Sequence, residues 1–125
     1  MTHHEQPKLD HVELASKDPN ATRKFLEKAF GWKFNVMPDM MPGGYSMHGR
    51  EEGAAASGVG IRALQGPEHP GSVSYVTVMN IDEALKNVQA AGGKVVMPKT
   101  EIPGMGWTAV YVAPGEVTQG LYQGK

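Results

Sequence analysis

The chain has 125 residues, a formal net charge of −1 and no cysteine. This length suits one domain with a real apolar core, and the missing thiols exclude a disulfide framework, a thiolate zinc site and a cysteine nucleophile. No basic block or stripe occurs, so neither nucleic acid nor a membrane is expected as a partner. The polar start, MTHHEQPKLD, lacks the apolar core of a signal peptide, and no apolar run approaches the roughly 18 residues of a membrane span. We therefore predict a single cytoplasmic domain over residues 1–125.

The first half of the chain predicts a strand, a helix and three further strands. The strand-like run HVELAS begins at His11, and the helix begins after Asp18, with Pro19 where the missing N–H of proline costs nothing. Helical spacing places four apolar residues on one stripe, and Gly31 ends the helix. The members of that stripe are Phe25, Leu26, Ala29 and Phe30. The β-rich stretches that follow are residues 32–37, 44–49 and 54–63.

The second half repeats this order after a linker, residues 64–71, which contains two prolines and two glycines. The strand-like run VSYVTVM begins at Val73, and either Asn80 or Asp82 is expected to cap a second helix that ends at Gly92. The apolar stripe of this helix consists of Ala84, Leu85, Val88 and Ala91. The later β-rich stretches are residues 94–97, 106–113 and 117–123.

Matching positions of the two halves lie about half the chain apart, as a duplicated unit would give. Each half therefore predicts a β-α-β-β-β module, the first over residues 8–63 and the second over residues 72–123. The expected fold class is α+β, in which two half-barrels form a curved mixed sheet with the helices outside and a concave space inside. Whether the modules pair within one chain or across two chains stays open.

Two ionisable residues occupy the first predicted strand. His11 and Glu13 are two positions apart, so a strand places both on the same face. A buried carboxylate is costly unless it is paired, and a nearby imidazolium would offset that cost. The pair is therefore a candidate catalytic site, and the alternative is a polar pair inside the cavity without a ligand role.

Aromatic residues and methionines supply further candidate contacts. Trp107 and Tyr111 share a face of one predicted strand, where they would contact a flat organic ligand or pack against a helix or subunit. His48 lies on a strand of the first half and would approach the same cavity. Methionines suit an adaptable surface, either a flap over the cavity or a dimer contact, and four of them cluster nearby: Met37, Met40, Met41 and Met47.

Three stretches of the chain resemble a known family, namely DHVELASKDPNATRKFLEKAFGWKF, YVTVMNIDEALKNVQAAGGKVVMP and GMGWTAVYVAPGEVTQGLYQ. They are similar to the glyoxalase, bleomycin-resistance and extradiol-dioxygenase superfamily, whose fold is called vicinal oxygen chelate. The segments FGW and GLYQ resemble a glyoxalase-related subgroup of unassigned activity. The resemblance implies the two-module fold, a small organic ligand and a homodimer. It does not choose a reaction, because members include isomerases, dioxygenases, thiol transferases and ligand-sequestering resistance proteins.

The metal-using members of this family take His, Glu or Gln ligands from four strands. By position, His11 matches the first ligand, and a single imidazole would hold a divalent ion only weakly. The resemblance therefore implies no standard metal centre and no cofactor. The alternative is a non-standard divalent site built from His11, Glu13 and His48. The other three ligand positions fall on residues that do not bind metal: Val73 or a close neighbour, Gly58 or Gly60, and Gly120.

Glycines at former ligand positions have two interpretations, both open at this point. They leave room for an organic ligand, or they allow the strands of a strongly bent sheet to curve. Two tyrosines lie beside these positions and would face the same space. The predicted ligand cavity therefore comprises Gly58, Gly60, Tyr75, Trp107, Tyr111, Gly120, Tyr122 and His48.

The leading functional hypothesis is a glyoxalase-related small-molecule-binding protein or enzyme without the standard metal centre. As an enzyme it would be a lyase or isomerase, with His11 or Glu13 as the general base that removes a proton beside a carbonyl. One alternative is a metal-dependent lyase, isomerase or dioxygenase with a non-standard ligand set. The other is a non-catalytic protein that sequesters its ligand, similar to the bleomycin-resistance members.

Overall fold

The structure, a computed structural model, describes residues 7–49 and 58–125, and both halves contain the expected order of elements. The first half consists of strand β1 (Lys8–Ser16), helix α1 (Pro19–Phe30) and strands β2 (Asn35–Met37), β3 (Tyr45–His48) and β4 (Val59–Ala63). The second half consists of strand β5 (Gly71–Thr77), helix α2 (Ile81–Ala90) and strands β6 (Lys94–Ile102), β7 (Gly106–Ala113) and β8 (Val117–Gly124).

The eight described strands form one sheet in the order β2-β3-β4-β1-β5-β8-β7-β6. Within each half the first and last strands pair in parallel, β1 with β4 and β5 with β8. The halves join through β1 and β5, which pair antiparallel at the centre of the sheet. This curved mixed sheet with two helices confirms the predicted α+β fold, and the two modules pair within one chain.

Local capping explains where the two helices begin. The Asp18 side chain accepts a hydrogen bond from the backbone N–H of Ala21 at 3.1 Å, and α1 ends at Gly31, whose φ of 72° suits a residue without Cβ. At α2 the Asn80 side chain accepts from the backbone N–H of Glu83 at 3.0 Å, so Asn80 is the cap and Asp82 lies in the first turn.

Several strand boundaries differ from the expected ones. Strand β2 begins at Asn35 and not at residue 32, and Trp32 instead stacks on His48. Strand β6 continues through Pro98 to Ile102, because β6 lies at the edge of the sheet and its pairing register shifts on both sides of Met97. Residues 54–57 of the predicted fourth strand lie outside the described residues.

The two helices cover the sheet unequally. Helix α2 packs on β6, β7 and β8, where Ile81, Ala109, Tyr111 and Leu121 form a buried apolar cluster. Helix α1 contributes no buried residue, and Phe25 and Phe30 of its predicted apolar stripe are 64% and 62% exposed. The stripe on α1 is therefore not a core face in the single chain. Neither helix has the length and apolar character to cross a membrane, and no other helix occurs in the described ranges.

Candidate functional site

A cavity of about 220 Å³ lies on the face of the sheet that α2 does not cover. Its apolar wall comes from the loop between β2 and β3 and from strands on both sides of the sheet, and it is formed by Met40, Met41, Met47, Met97, Ile102 and Met105. The polar lining consists of Asp10, His11, Glu13, Tyr45, Arg62, Gln65, Tyr75, Thr77, Thr108 and Tyr122. Both halves of the chain therefore contribute to one cavity.

Strand β1 places three ionisable side chains in this cavity. His11 and Glu13 share a face because side chains alternate along a strand. The pairing of β1 with β5 shifts register between Leu9 and His11, and this irregularity allows Asp10 to line the cavity beside His11. The register shift is a tertiary feature, and the alternation of the sequence alone assigns Asp10 to the opposite face.

His11 is held between a carboxylate and a phenol. Its Nε2 lies 3.2 Å from Oε2 of Glu13 and 3.2 Å from the hydroxyl oxygen of Tyr45. An ionised carboxylate only accepts hydrogen bonds, so Nε2 carries a hydrogen and donates to Glu13. In a neutral imidazole with this tautomer, the ring lone pair lies on Nδ1.

Arg62 neutralises Glu13 from strand β4. The Nε of Arg62 donates to Oε1 of Glu13 at 2.7 Å and to the hydroxyl of Tyr75 at 3.2 Å. The Nη1 and Nη2 atoms donate to the two carboxylate oxygens of Glu68 at 2.7 Å and 2.8 Å. The Arg62 side chain is only 1% exposed, so its charge is committed to these partners.

Glu68 connects the cavity to the linker between the modules. Besides Arg62, Oε1 of Glu68 accepts the backbone N–H of Gln65 at 2.8 Å. The Glu68 side chain is fully buried, which is tolerable for a carboxylate only with this set of donors. The linker therefore holds the guanidinium of Arg62 in place under the floor of the cavity.

The surroundings shift the pKa values of Glu13 and Tyr75 in opposite directions. Burial alone would raise the pKa of Glu13, but the hydrogen bond from His11 and the charge of Arg62 outweigh burial and lower it. Burial raises the pKa of Tyr75, and the negative charge of Glu13 raises it further. Glu13 is therefore a carboxylate, and Tyr75 is a neutral phenol that accepts from Arg62 and donates to Glu13.

The glycines at the expected ligand positions make room for the tyrosines of this site. A Cβ added at Gly60 would overlap the hydroxyl of Tyr45, and one added at Gly120 would overlap the ring of Tyr75. Neither glycine lines the cavity, so the interpretation that they vacate space for a ligand is wrong. The space that they leave is filled from within the chain.

Four other predicted cavity residues also lie elsewhere. His48 stacks on Trp32, and its Nδ1 lies 2.8 Å from the carbonyl oxygen of Lys33. Trp107 and Tyr111 pack in the cluster beneath α2, because the alternation of β7 directs Thr108 to the cavity instead. Gly58 precedes β4 and is not part of the lining. Tyr75 and Tyr122 do line the cavity.

No site role was predicted from the sequence for three members of this polar network, Tyr45, Arg62 and Glu68. A signal for Arg62 exists, because a charged residue inside the apolar run VGIRAL requires a buried partner. Glu68 lies in a proline-rich linker that resembles an ordinary solvated loop. Nothing in the local sequence indicates that it forms a bidentate ion pair with Arg62.

The side chains around His11 do not fit the divalent metal that the family resemblance implies. The residue opposite His11 on β5 is Tyr75 and not Val73, and the residue opposite Tyr75 on β8 is Gly120. Among the residues that the structure describes, no group of three His, Cys, Asp or Glu side chains could hold a metal ion. The Arg62 guanidinium beside Glu13 would also repel a cation there. The non-standard set of His11, Glu13 and His48 does not assemble, since His48 lies beside Trp32.

The sequence profile of the Glyoxalase/Bleomycin resistance protein/Dioxygenase superfamily matches residues 8–116. The chain therefore belongs to this superfamily, in agreement with the fold and with the resemblance stated above. Membership of this superfamily indicates the fold. It does not indicate the reaction or the ligand, which depend on the residues that line the cavity.

Two curated relatives and two solved structures illustrate the similarity. The chain is 30% identical over 123 residues to "Putative glyoxylase CFP32" of Mycobacterium tuberculosis, covering 90% of this chain and 44% of that protein. It is 29% identical over 115 residues to "Anthracycline biosynthesis protein DnrV" of Streptomyces peucetius, covering 82% of this chain and 42% of that protein. The chain thus spans less than half the length of these relatives.

The solved structures are similar in fold alone. A methylmalonyl-CoA epimerase superposes with a TM-score of 0.64 at 17% identity, over 94% of each chain. A glyoxalase/bleomycin resistance protein/dioxygenase superfamily member from Vibrio splendidus superposes with a TM-score of 0.61 at 13% identity, over 94% of this chain and 99% of that chain. Both similarities extend over nearly the whole of the two-module sheet.

Proposed function

We propose that this chain binds a small, mainly apolar organic molecule in the cavity between its modules, without a metal ion. The observation that supports this function is the combination of a methionine-rich wall with a hydrogen-bonded polar floor in one concave site. The floor consists of His11, Glu13, Tyr45 and Arg62. Ligand sites are typically apolar concavities with a few fixed polar groups, and methionine adapts its shape to different apolar surfaces. The volume of about 220 Å³ restricts the bound group to a small one.

The composition of the floor supports a metal-free mode of binding. His11 and Glu13 are engaged with Tyr45 and Arg62, so a metal would have to displace existing hydrogen bonds to recruit them. Selective divalent sites take three or more protein ligands, and the neighbouring strands offer Tyr75 and Gly120 at the matching positions. A polar group of the ligand would instead interact with His11 and Tyr45.

A second candidate function is metal-independent proton transfer, as in an isomerase or lyase. The observation that favours it is the position of His11, whose Nε2 is fixed 3.2 Å from the Glu13 carboxylate. A carboxylate on one ring nitrogen sets the tautomer of an imidazole and stabilises the imidazolium that forms when the ring takes up a proton. The relative from Mycobacterium tuberculosis is named a glyoxylase, which agrees with an enzymatic function. The chain covers only 44% of that protein, so the name supports the candidate weakly.

A homodimer is also part of this proposal. Phe25 and Phe30 of α1 are 64% and 62% exposed, and apolar surface of this kind on a helix is often covered by a second subunit. Light scattering coupled to size-exclusion chromatography measures the mass in solution. A mass of one chain at micromolar concentration contradicts the dimer and leaves the cavity, whose described lining comes from a single chain, unaffected.

Methyl NMR of the methionines tests the binding function directly. Protein labelled at the methionine methyl groups is titrated with a library of small organic compounds. We expect ligands to shift the five methionines of the cavity wall and to leave Met79 unchanged, because Met79 is 66% exposed and lies outside the cavity. The matched variants are Met41→Trp, which fills the cavity and weakens binding, and Met79→Trp, which does not. Equal shifts at Met79 and Met41 would indicate non-specific contact.

Deuterium exchange separates proton transfer from simple binding. A carbonyl compound that binds the cavity is incubated in D₂O, and its deuterium content is measured by mass spectrometry. Proton transfer predicts enzyme-dependent exchange that His11→Asn reduces by two or more orders of magnitude. Exchange that proceeds at the uncatalysed rate with bound, unaltered ligand favours a sequestering protein.

A further inference from the structure

Most polar side chains around the cavity donate their hydrogen bonds within the protein. The hydroxyl of Tyr122 donates to a backbone carbonyl oxygen at 2.8 Å, and the hydroxyl of Thr77 donates to Oδ1 of Asp10 at 2.6 Å. The guanidinium of Arg62 and the hydroxyl of Tyr75 belong to the hydrogen-bonded floor. The donors of these four side chains are therefore already engaged with protein acceptors.

Thr108 on β7 differs from these residues. It lines the cavity and is only 5% exposed, and its side chain forms no hydrogen bond with any residue of the described ranges. Among those residues, the one fully enclosed side-chain polar atom without a partner is Nε of Arg23, so the hydroxyl of Thr108 opens into the cavity. A buried hydroxyl without a partner is unfavourable, because it has given up hydrogen bonds to water. Thr108 therefore presents an unused donor and acceptor to whatever occupies the cavity.

The strand pairing explains how Thr108 reaches the cavity. The residue opposite Thr108 on β8 is Tyr122, which also lines the cavity, and opposite residues of an antiparallel pair lie on the same face. Two methionines of the apolar wall come from the same hairpin as Thr108, namely Met97 on β6 and Met105 in the turn before β7. One hairpin thus supplies both a hydroxyl and an apolar contact surface.

We infer that Thr108 determines the chemical class of the ligand, because its hydroxyl hydrogen-bonds a carbonyl or hydroxyl oxygen of a small molecule whose apolar part contacts Met97 and Met105. This inference rests on the proposed binding function and names the polar group that the ligand presents to the second module. A threonine hydroxyl both donates and accepts, so it matches the oxygen of a ketone, an aldehyde or an alcohol. A hydrocarbon of the same shape displaces water from the hydroxyl without replacing its hydrogen bond.

Acetophenone and ethylbenzene test the inference, because they share a ring and a two-carbon chain and differ in the carbonyl oxygen. Both compounds are titrated against protein labelled at the methionine methyl groups. We expect Thr108→Val to lower the ratio of acetophenone to ethylbenzene affinity by about fivefold and Thr108→Ser to retain it. Comparing this ratio between variants cancels the different hydration of the two free compounds. The matched control is Thr100→Val, opposite Thr108 on β6 but exposed and outside the lining, which should leave the ratio unchanged.

Unfolding in urea gives a second readout that needs no ligand. Because no described residue bonds the hydroxyl of Thr108, valine has the same shape and removes only an unpaired polar group. The midpoint of unfolding of Thr108→Val should therefore equal or exceed that of the wild type. A lower midpoint would show that the hydroxyl stabilises the fold through a protein partner, and the inference would be wrong.

The possible results distinguish the inference from the function on which it rests. An affinity ratio that is the same in Thr108→Val and in the wild type, with shifts at the cavity methionines, overturns the role of Thr108 and retains a binding cavity. An equal decrease of the ratio in Thr100→Val also overturns that role. Failure of both compounds to shift the cavity methionines in every variant overturns the binding of small organic molecules itself.

Discussion

The ring of Tyr75 occupies the space that a side chain at Gly120 would require. These two residues lie opposite each other on β5 and β8. On the neighbouring strands β3 and β4, Tyr45 lies opposite Arg62, and its hydroxyl occupies the space that a side chain at Gly60 would require. A hydrogen-bonded cluster of Tyr45, Tyr75, His11, Glu13 and Arg62 therefore lies where the family resemblance implies metal ligands.

The first prediction concerns this close packing. Replacing Gly120 with alanine places a methyl group inside the ring of Tyr75, and overpacking of this kind costs about 1–3 kcal/mol. Urea unfolding should show the loss. The control is Gly124→Ala on the same strand, where an added Cβ would have its nearest neighbour at 3.7 Å. Equal stability of the two variants would contradict the replacement of a ligand position by the Tyr75 ring.

A double-mutant cycle tests whether Gly120→Ala destabilises the protein through contact with the Tyr75 ring. Because Tyr75 is the residue that a methyl group at Gly120 would meet, the effect of Gly120→Ala should shrink when Tyr75 is already alanine. The measured quantity is the coupling free energy between the two substitutions. Additive effects would indicate that Gly120→Ala acts through strand curvature and not through Tyr75.

The second prediction concerns the buried ion pairs of Arg62. The substitution Arg62→Met leaves Glu13 and Glu68 without their cation, and breaking a buried pair typically costs about 3–5 kcal/mol. Asp82→Asn breaks the exposed pair with Lys99 and should cost less than about 1 kcal/mol. Thermal and urea unfolding measure both variants. A loss below 1 kcal/mol in Arg62→Met would mean that the network is not a stabilising feature of the fold.

The third prediction concerns pH. The pKa of Glu13 is lower in the folded protein than the 4.5 of an unperturbed glutamate, so the folded state prefers the ionised carboxyl group. The resulting stabilisation is complete above about pH 4.5 and is lost as the pH falls through the folded-state pKa. The free energy of unfolding should therefore decrease on acidification more steeply in the wild type than in Glu13→Gln. Parallel curves for the two proteins would show that Glu13 is not held ionised by His11 and Arg62.

The fourth prediction concerns metal content. Untagged protein dialysed against zinc, nickel or manganese should retain far less than one equivalent by elemental analysis, because the residues in the described ranges 7–49 and 58–125 do not complete a metal site around His11. His11→Ala should not change this result. A near-stoichiometric amount of metal that disappears in His11→Ala would identify a metal-dependent enzyme and overturn the metal-free proposal.

Sequence signals predicted the helices and strands where the stabilising interactions lie between residues close in the chain. Asp18 and Pro19 begin α1 through a cap and a fixed φ angle, and both effects act within one turn. The shared face of His11 and Glu13 follows equally from the two-residue period of a strand. Periodicity did not reveal which face of β7 is the cavity face, so Trp107 and Tyr111 were assigned to the wrong side of the sheet.

The sequence by itself determined a two-module α+β fold and the presence of His11 and Glu13 on one face of a strand. Tertiary structure alone decided which residues surround this pair. Arg62 and Glu68 meet Glu13 only after β4 pairs with β1 and the linker folds back, and Tyr45 and Tyr75 reach the glycine positions only across strand pairs. Periodicity and capping reflect neighbours along the chain, whereas these contacts depend on register and on space vacated by residues distant in sequence.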